Sequence, residues 1–389
     1  MKTYFLVEPN KQAAEHLSFN VAIVRSLLTT ARSRGDKVVL FCERRHREQI
    51  AAALVEADHG LLWEEIPVVS GLRRRFLWKF LVEWPVMWRV LRRAKREGAT
   101  VVVLSLFANV LPFVTLARRL FRGTPTHLFL HGELESLLIA EKQPIYREGF
   151  WVKLALMRLY DGSWPTLYVL GAGIKRRLLQ RYPDAAQLQA IRVIDHPYSF
   201  IPSSRRAEQP AQPAIRLGFV GAGREMKGVV EFFSLAQSLS EYVAAGRLEF
   251  VLVGGLEDRC RKFDNGWVKV LADEIGGLDA EEFRRTIASL DSALFLYRQN
   301  YALTASGAVF DVISEGVEIL ALRNDYLSDV AEHDSEGGIR FFDSVAQVEA
   351  VIRDRVHRGT VRRRYDYSRI KHVHSQGVEQ AVAQEIMPI

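Results

Sequence analysis

Short apolar runs alternate with longer amphipathic stretches along the whole chain. In the first half, runs rich in β-branched residues predict seven strands: TYFLVE, KVVLFC, LLWEEIP, TVVVLSL, THLFLHG, TLYVLG and IRVIDHP. In the second half, six more follow: AIRLGFVG, RLEFVLVGG, WVKVLAD, SALFLY, EILALR and IRFFD. Helical periodicity separates these runs, as in LSFNVAIVRSLLTTARSR and IKRRLLQRY. The alternation predicts an α/β protein with parallel sheets that helices cover on both faces.

One segment near the middle of the chain interrupts this alternation. Residues 199–213, SFIPSSRRAEQPAQP, contain three prolines and small polar residues without apolar periodicity, which indicates a linker. Because 389 residues exceed the usual size of one domain, we expect two Rossmann-like domains, residues 1–198 and 214–389. We expect the two domains to face a cleft, with ligands beyond the carboxyl ends of the strands. The last helix is a candidate for packing back onto the first domain.

The composition is that of a folded protein in a reducing compartment. Hydrophobic residues make up 48% and charged residues 25%, which is a globular balance. The two cysteines, Cys42 and Cys260, are too few for a disulfide framework or a thiolate metal site. Residues 98–117 are the membrane-span candidate, but Asn109 and Pro112 interrupt them, so we predict a buried strand and a buried helix. No signal-peptide pattern is visible, and we expect a cytoplasmic location.

A glycine turn opens the predicted second domain. In FVGAGREMKGVVEFF, Gly221 and Gly223 are followed by Met226 where a dinucleotide fingerprint has its third glycine, and the Gly-Lys-Ser/Thr of a P-loop is absent. Backbone amides of such a turn, and of the helix that follows, favour an anion. Arg224 and Lys227 add two cations. The alternative is a plain strand-to-helix turn with surface charges.

A second stretch, SALFLYRQNYALTASGAVFDVISEGVEILALR, favours the anion-binding interpretation of the glycine turn over the plain turn. A buried strand is predicted to end at Tyr297, a polar loop follows, and Ser306 and Gly307 begin a helix. The glycine lets a phosphate approach the first backbone amides of this helix closely. Asp311 lies one helical turn further on, where its carboxylate can accept hydrogen bonds from sugar hydroxyls.

The order of these motifs resembles the nucleotide-sugar-binding half of GT-B glycosyltransferases. The similarity covers most of residues 214–345: a strand, a glycine turn, Lys-Gly, and later Ser-Gly, an acidic residue and a helix-ending glycine before an apolar strand. The resemblance implies that the cations of the turn hold the donor diphosphate, that amides at the later helix cap it, and that the acidic residue takes the ribose hydroxyls. The donor-binding residues it implies are Gly221, Gly223, Arg224, Lys227, Tyr297, Ser306, Gly307 and Asp311.

Two departures from the GT-B pattern favour an inverting mechanism. Retaining members of one branch carry two glutamates eight positions apart, and here Leu303 stands at the first of these positions. In the same branch an arginine stands five residues before the lysine, and here that residue is Ala222. An inverting enzyme needs a general base for the acceptor hydroxyl. The candidates in the first domain, in THLFLHGELESLL, are His131, Glu133 and Glu135.

Other interpretations of these titratable residues stay open. The same cluster fits a core histidine followed by a solvated, acidic first helical turn. Glu15 and His16 are a further base candidate, and His196 fits either a donor contact or a hinge. His372 and His374 have no convincing ligand partners in the sequence. Because no Asp-x-Asp motif is present, we expect no metal and no other cofactor, with cations and helix dipoles stabilising the leaving diphosphate.

The net charge of +7 is concentrated in one segment. Between Arg73 and Arg122 there are twelve Lys and Arg and two Glu. Within this segment, residues 72–96 combine three tryptophans with bracketing arginines, which is typical of an interfacial amphipathic helix, broken or restarted near Pro85. We expect it to hold the protein on the anionic inner face of the plasma membrane, without crossing it. A domain helix with a buried aromatic face is the alternative, and no motif supports nucleic acid as a partner.

The leading hypothesis is therefore an inverting, metal-independent hexosyltransferase. It would transfer a sugar from a nucleotide-diphosphate donor to an acceptor linked to polyprenyl diphosphate, in bacterial surface or exopolysaccharide synthesis. A retaining GT-B transferase and a nucleotide-sugar epimerase are the alternative enzymes. The alternative outside catalysis is a membrane- or nucleic-acid-binding module.

Overall fold

The chain divides into two compact units. The computed structural model describes residues 1–12, 15–54, 60–69, 76–138, 147–200, 214–273, 277–298, 301–359 and 363–388. The first unit comprises Met1–Ser199, Leu303–Ala305 and Val373–Ile389, and the second comprises Phe200–Ala302 and Ser306–His372. Residues 201–213 of the predicted linker and residues 72–75 of the basic segment lie outside the described residues.

The first unit contains a seven-stranded parallel sheet. Its strands are β1 (Thr3–Val7), β2 (Lys37–Cys42), β3 (Leu61–Glu65), β4 (Thr100–Val103), β5 (Thr126–Phe129), β6 (Thr166–Val169) and β7 (Arg192–Val193). They lie in the order β3-β2-β1-β4-β5-β6-β7, and every neighbouring pair among the described residues is parallel. The central strands are buried almost completely, as expected where helices cover both faces.

Helices of this unit cover the sheet. They are α1 (Leu17–Arg34), α2 (Arg44–Leu54), α3 (Phe76–Glu97), α4 (Leu111–Leu116), α5 (Arg118–Phe121), α6 (Glu148–Leu154) and α7 (Ala172–Arg181). A 3₁₀ segment, Gly132–Leu138, follows β5. The last segment of the chain, Val373–Ile389, belongs to this unit, where Val382 and Ile386 are buried in the same apolar core as Leu27 of α1. Ser26 Oγ also donates to the backbone oxygen of Glu379 at 3.0 Å.

The second unit contains a six-stranded parallel sheet in the order β10-β9-β8-β11-β12-β13. The strands are β8 (Ile215–Val220), β9 (Leu248–Gly255), β10 (Val268–Ala272), β11 (Ser292–Phe295), β12 (Glu318–Leu322) and β13 (Ile339–Phe342). The helices are α8 (Val229–Ser238), α9 (Ser240–Ala244), α10 (Ala280–Ser289), α11 (Gly307–Ser314), α12 (Asp325–Ala331), α13 (Val345–Arg358) and α14 (Ser368–His372). The chain ends with α15 (Val378–Ile386), in the first unit.

The strand predictions and the α/β class are confirmed, because each of the thirteen apolar runs contains a strand. Residues 98–117 contain β4 and α4, and no helix in the described ranges is both long and apolar enough to cross a membrane. The expected break near Pro85 is wrong, since α3 continues through it. Proline removes one backbone hydrogen bond, to the carbonyl four residues earlier. Here Pro85 and Leu81 are both exposed, so water can reach that carbonyl.

Candidate active site

Two glycines bring the carboxyl ends of β8 and β9 into backbone contact. Gly221 follows β8 with φ +97°, and its amide donates to Val253 O at 2.9 Å. A side chain at Gly254 would put its Cβ 2.4 Å from Gly221 O, so only glycine allows this approach. Gly223 continues the contact, because its amide donates to Gly255 O at 2.9 Å. The predicted glycine turn is therefore a fixed loop at the carboxyl edge of the second sheet.

Lys227 ends a single 3₁₀ turn, Glu225–Lys227, that contacts the residues just after β11. The next residue, Gly228, has φ +82°, and a Cβ there would lie 2.0 Å from Leu296 O. No other residue fits this position without moving the turn. Arg224 precedes the turn and is exposed to solvent.

The start of α11 lies against the same glycine turn. A Cβ built on Gly221 would be 3.5 Å from Ala308 Cβ and 3.8 Å from Lys227 Nζ. The Lys227 ammonium and the first turn of α11 therefore border one small space, at the position where a side chain of residue 221 would begin. We refer to it as the space above Gly221. Cations and helix N-termini both favour a negatively charged ligand, so this space suits an anion.

Two tyrosines in contact with each other connect Lys227 to the residue before α11. The Tyr297 hydroxyl donates to Ser306 Oγ at 2.6 Å, directly before α11. Tyr301 has its ring centroid 4.5 Å from that of Tyr297 and 5.6 Å from Lys227 Nζ. We did not identify Tyr301 in the sequence, because a tyrosine in a polar loop carries no pattern that links it to a distant lysine.

One face of α11 completes the site. Gly307, Ala308 and Asp311 are partly exposed, while Val309 and Phe310 between them are buried. Residues three and four apart share a helix face, so Asp311 lies on the same side as the two small residues. The structure thus gathers seven of the predicted donor residues around one turn and one helix start, with Arg224 at the exposed rim.

In the first unit, His131 follows the carboxyl end of β5. Its Nε2–H donates to Leu104 O at 2.8 Å, which leaves Nδ1 as the acceptor of a neutral ring. Burial lowers the pKa of His131 to about 4, so the imidazole is neutral at neutral pH. The ring is therefore oriented by the backbone that follows β4.

The two glutamates after His131 have different surroundings. Glu133 is partly exposed, and one carboxylate oxygen accepts the His131 amide at 2.8 Å. Burial raises the pKa of Glu133 to about 7, although the hydrogen bond from that amide acts in the opposite direction. Glu135 is buried within the 3₁₀ segment. Of the two, Glu133 has the solvent contact and the near-neutral pKa that a general base needs.

Other histidines cluster around His131. The His16 ring centroid lies 4.8 Å from that of His131, and Phe19 packs edge-on against both His131 and His196. His16 has φ 55°, the one positive φ outside glycine in the described chain, and burial lowers its pKa well below 6.5. Such backbone strain is often kept where it orients a functional group. His374 Nδ1 donates to His196 O at 3.1 Å, which ties the last segment to this cluster.

A buried carboxylate holds the loop between β1 and α1. Glu8 is completely buried, and its oxygens accept from the Asn20 side chain at 3.0 Å, from the Asn10 amide at 3.2 Å and from the Ser105 hydroxyl. Asn10 Oδ1 in turn accepts from Lys79 Nζ at 3.0 Å. Ser105 lies two residues beyond the end of β4, so this network ties the loop after β4 to the loop after β1 and satisfies the buried carboxylate.

At the level of sequence, no protein-family model and no curated protein matches this chain. Its structure does match solved structures over the full length. WaaG, a glycosyltransferase involved in lipopolysaccharide biosynthesis, has a TM-score of 0.61 at 16% identity, with 100% of both chains covered. HepE from Anabaena, solved with UDP-glucose, has a TM-score of 0.62 at 14% identity, again with 100% of both covered. Sucrose-phosphate synthase from Thermosynechococcus elongatus has a TM-score of 0.65 at 13% identity, covering 99% of this chain and 98% of that chain.

The chain has the GT-B fold. The expectation of two Rossmann-like parallel-sheet domains is thereby confirmed. Structural matches at identities this low establish the fold alone. The roles of individual residues therefore depend on the geometry of the site. Within the described ranges, no group of three or more His, Cys, Asp or Glu is arranged to hold a metal ion.

Proposed function

We propose that this protein is a glycosyltransferase that moves a sugar from a nucleotide-diphosphate donor to a carbohydrate acceptor. The observation that carries the proposal is the convergence of Lys227, the glycine turn and the start of α11 on the space above Gly221. A leaving diphosphate gains negative charge at this point of the reaction, and preorganised cations and amides stabilise it there. The GT-B fold, shared with HepE solved with UDP-glucose, supports the same ligand class.

The donor residues divide into three roles. Lys227 pairs with the diphosphate, and Arg224 at the exposed rim adds a second cation. Backbone amides at Ser306 and Gly307 donate to the phosphate oxygens, and the lack of a side chain at Gly221 leaves room for the phosphate. The lack of one at Gly223 lets the turn pack closely on Leu252 and Leu256. Asp311 accepts hydrogen bonds from the ribose hydroxyls, and Tyr297 orients Ser306.

We propose an inverting reaction with Glu133 as the general base, supported by His131. The acceptor oxygen attacks the anomeric carbon, its proton passes to the Glu133 carboxylate, and the bond to the diphosphate oxygen breaks. Inversion is supported by Leu303, a buried aliphatic residue where retaining relatives carry a glutamate. Glu135 and His16 are the next candidates for the base.

The acceptor is proposed to be linked to polyprenyl diphosphate at a membrane surface, as part of bacterial surface polysaccharide synthesis. The support is one exposed stripe of α3: Trp78 and Leu81 are 63% and 57% exposed, and Arg89 and Arg92 continue it. Apolar residues beside arginines are typical of a helix that lies on anionic lipid. Trp84 and Trp88 are not part of the stripe, because they pack on Phe113 and Phe121 of the neighbouring helices.

The proposal is tested by turnover of nucleotide sugars with and without a lipid-linked acceptor fraction from bacterial membranes. A transferase releases nucleoside diphosphate and consumes donor only when the acceptor is present, apart from slow hydrolysis. An epimerase converts the donor in the absence of acceptor. A binding module consumes no donor, with or without the acceptor. That result would refute the enzymatic proposal.

A further inference from the structure

Arg298 connects two carboxylates that flank the proposed diphosphate site. It stands directly after Tyr297, beyond the end of β11. Its Nη1 pairs with Glu225 Oε1 at 2.7 Å, and its Nε pairs with Glu231 Oε1 at 2.7 Å. Glu225 begins the turn that ends at Lys227, and Glu231 lies in the first turn of α8.

The backbone of Arg298 also bonds to this turn and to the loop that carries Tyr301. Its amide donates to Met226 O at 3.1 Å, directly before Lys227. Its carbonyl accepts the Tyr301 amide at 2.9 Å, and the Tyr301 ring lies 5.6 Å from Lys227 Nζ. Met226, next to the lysine in the chain, and Tyr301, whose ring lies near its ammonium, are therefore both hydrogen-bonded to the backbone of Arg298.

The Arg298 guanidinium is needed to neutralise the two carboxylates beside the diphosphate site. Two carboxylates beside a site for a diphosphate repel it unless a cation neutralises them. Glu231 depends on Arg298 in particular, because its second oxygen is buried and has no hydrogen-bond partner in the part of the chain that the structure describes. A buried carboxylate oxygen without a partner is costly, so the remaining ion pair carries the compensation.

We propose that Arg298 is a positioning residue for the diphosphate site, acting through Glu225 and Glu231 and not by contact with the ligand. Its guanidinium neutralises both acids beside the turn that presents Lys227. The inference rests on the proposed function, since it concerns binding of a nucleoside diphosphate at that site.

The test measures nucleoside diphosphate affinity by calorimetry at low and high salt. The probe is whichever of UDP, GDP, ADP and dTDP the wild-type protein binds most tightly. Arg298→Gln should lose on the order of tenfold in affinity at low salt, the effect of one uncompensated charge at high effective dielectric. The loss should shrink at high salt, because the exposed parts of the carboxylates are then screened.

Arg353 provides a matched control in the same unit. Its guanidinium also pairs with two glutamates, Glu241 and Glu349, and its side chain is 35% exposed, the same fraction as that of Arg298. It lies on α13 and donates to Ser238 O, at the end of α8 opposite to Lys227. Arg353→Gln should therefore change thermal stability by a similar amount while leaving nucleotide affinity unchanged.

Two further variants separate the mechanisms. Replacing all three members, Arg298→Gln with Glu225→Gln and Glu231→Gln, should restore affinity to within about twofold of wild type, because no charge remains to be compensated. Failure of this rescue would mean that Arg298 contacts the diphosphate itself, and it would overturn the proposal. The pair Glu225→Gln and Glu231→Gln with Arg298 retained should bind as tightly as wild type or more tightly. Weaker binding by that pair contradicts the proposal even if Arg298→Gln does not fold.

The failures of the two proposals are distinguishable. If wild type binds none of the four diphosphates, the proposed function fails and this inference fails with it. If wild type binds and Arg298→Gln binds equally well, only the role of Arg298 is refuted.

Discussion

The Tyr297 hydroxyl donates a hydrogen bond of 2.6 Å to Ser306 Oγ, and both side chains are buried. Serine at the residue before a helix usually accepts hydrogen bonds from the first amides of that helix. Within the described chain, the Ser306 side chain makes no such bond to α11. Tyr297 therefore directs the serine hydroxyl away from the helix start, which keeps those amides available for a phosphate.

Tyr297→Phe should weaken nucleoside diphosphate binding by about fivefold, the value of the one neutral hydrogen bond that the phosphate must then displace. The released serine hydroxyl can then cap α11 and compete with the phosphate. Adding Ser306→Ala removes the competitor, so the double variant should regain most of the affinity. Calorimetry checks both. Equal losses in the single and double variants would mean that Tyr297 acts on the ligand in another way.

Glu133→Gln should reduce turnover by about 10²-fold or more, with nucleotide affinity unchanged. The base must be deprotonated to accept the proton. With the pKa of Glu133 raised to about 7, the wild-type rate should rise with pH, reach half of its maximum near pH 7 and level off at higher pH. The variant should lose this rise. Exposed Glu48 serves as the control position. If Glu133→Gln keeps a near-normal rate, Glu135→Gln, His131→Ala and His16→Ala identify the base.

The product should have the anomeric configuration opposite to that of the donor. Leu303 is completely buried and aliphatic, so it can neither accept a proton nor stabilise charge at the sugar. NMR of the anomeric proton in the first turnover product measures the outcome before any mutarotation. A product with the configuration of the donor would refute inversion.

Trp78→Asp combined with Leu81→Asp should abolish sedimentation with liposomes that contain anionic lipid. Binding of wild type should also weaken in high salt, because arginine attraction to the headgroups is screened over about 10 Å at 0.1 M. Val193→Asp is the control, since Val193 is 36% exposed on β7, at the edge of the sheet opposite to β3. If all three proteins sediment equally, or if none of them sediments, α3 is an ordinary domain helix and the membrane proposal is refuted.

Gly228→Ala should destabilise the second unit strongly, by about 3 kcal/mol. The added Cβ meets Leu296 O at 2.0 Å, and φ is +82°, so steric overlap adds to backbone strain. Gly246→Ala tests the strain alone, because φ there is +66° and, apart from its two chain neighbours, no heavy atom of the described residues lies within 4 Å of the added Cβ. It should cost about 1 kcal/mol. Chemical denaturation measures the free energy of unfolding of both variants. Equal losses would show that the turn can shift to accommodate the added Cβ at residue 228.

The sequence was sufficient for the parts of the fold that local periodicity determines. All thirteen strands and the bounds of α1 agree with the apolar pattern, because side-chain burial repeats within each element. The glycine turn and the start of α11 were also recognisable, since both depend on residues adjacent in the chain. The sequence did not reveal the contacts made by Tyr301 and Arg298. Those contacts arise when the loop after β11 folds back onto a turn that lies far earlier in the chain.

The sequence pattern also does not predict unusual backbone conformations or the packing partners of individual side chains. Nothing in the sequence indicated that His16 takes a left-handed conformation beside His131. The continuation of α3 through Pro85 likewise depends on solvent at one helix face, which the apolar pattern alone does not specify. For the aromatic segment, periodicity indicated an amphipathic helix but not that Trp84 and Trp88 pack inward while Trp78 stays exposed.

The central claim is that the space above Gly221 binds the diphosphate of a nucleotide, and calorimetry with UDP, GDP, ADP and dTDP tests it most directly. The titrations compare wild type with Lys227→Ala and with Lys269→Ala, which removes an exposed lysine on β10 of the same sheet. We predict that wild type binds at least one of the four nucleotides, that Lys227→Ala weakens this binding by about tenfold or more, and that Lys269→Ala binds like wild type. Absence of binding to all four, or equal affinity in the three proteins, would contradict the account.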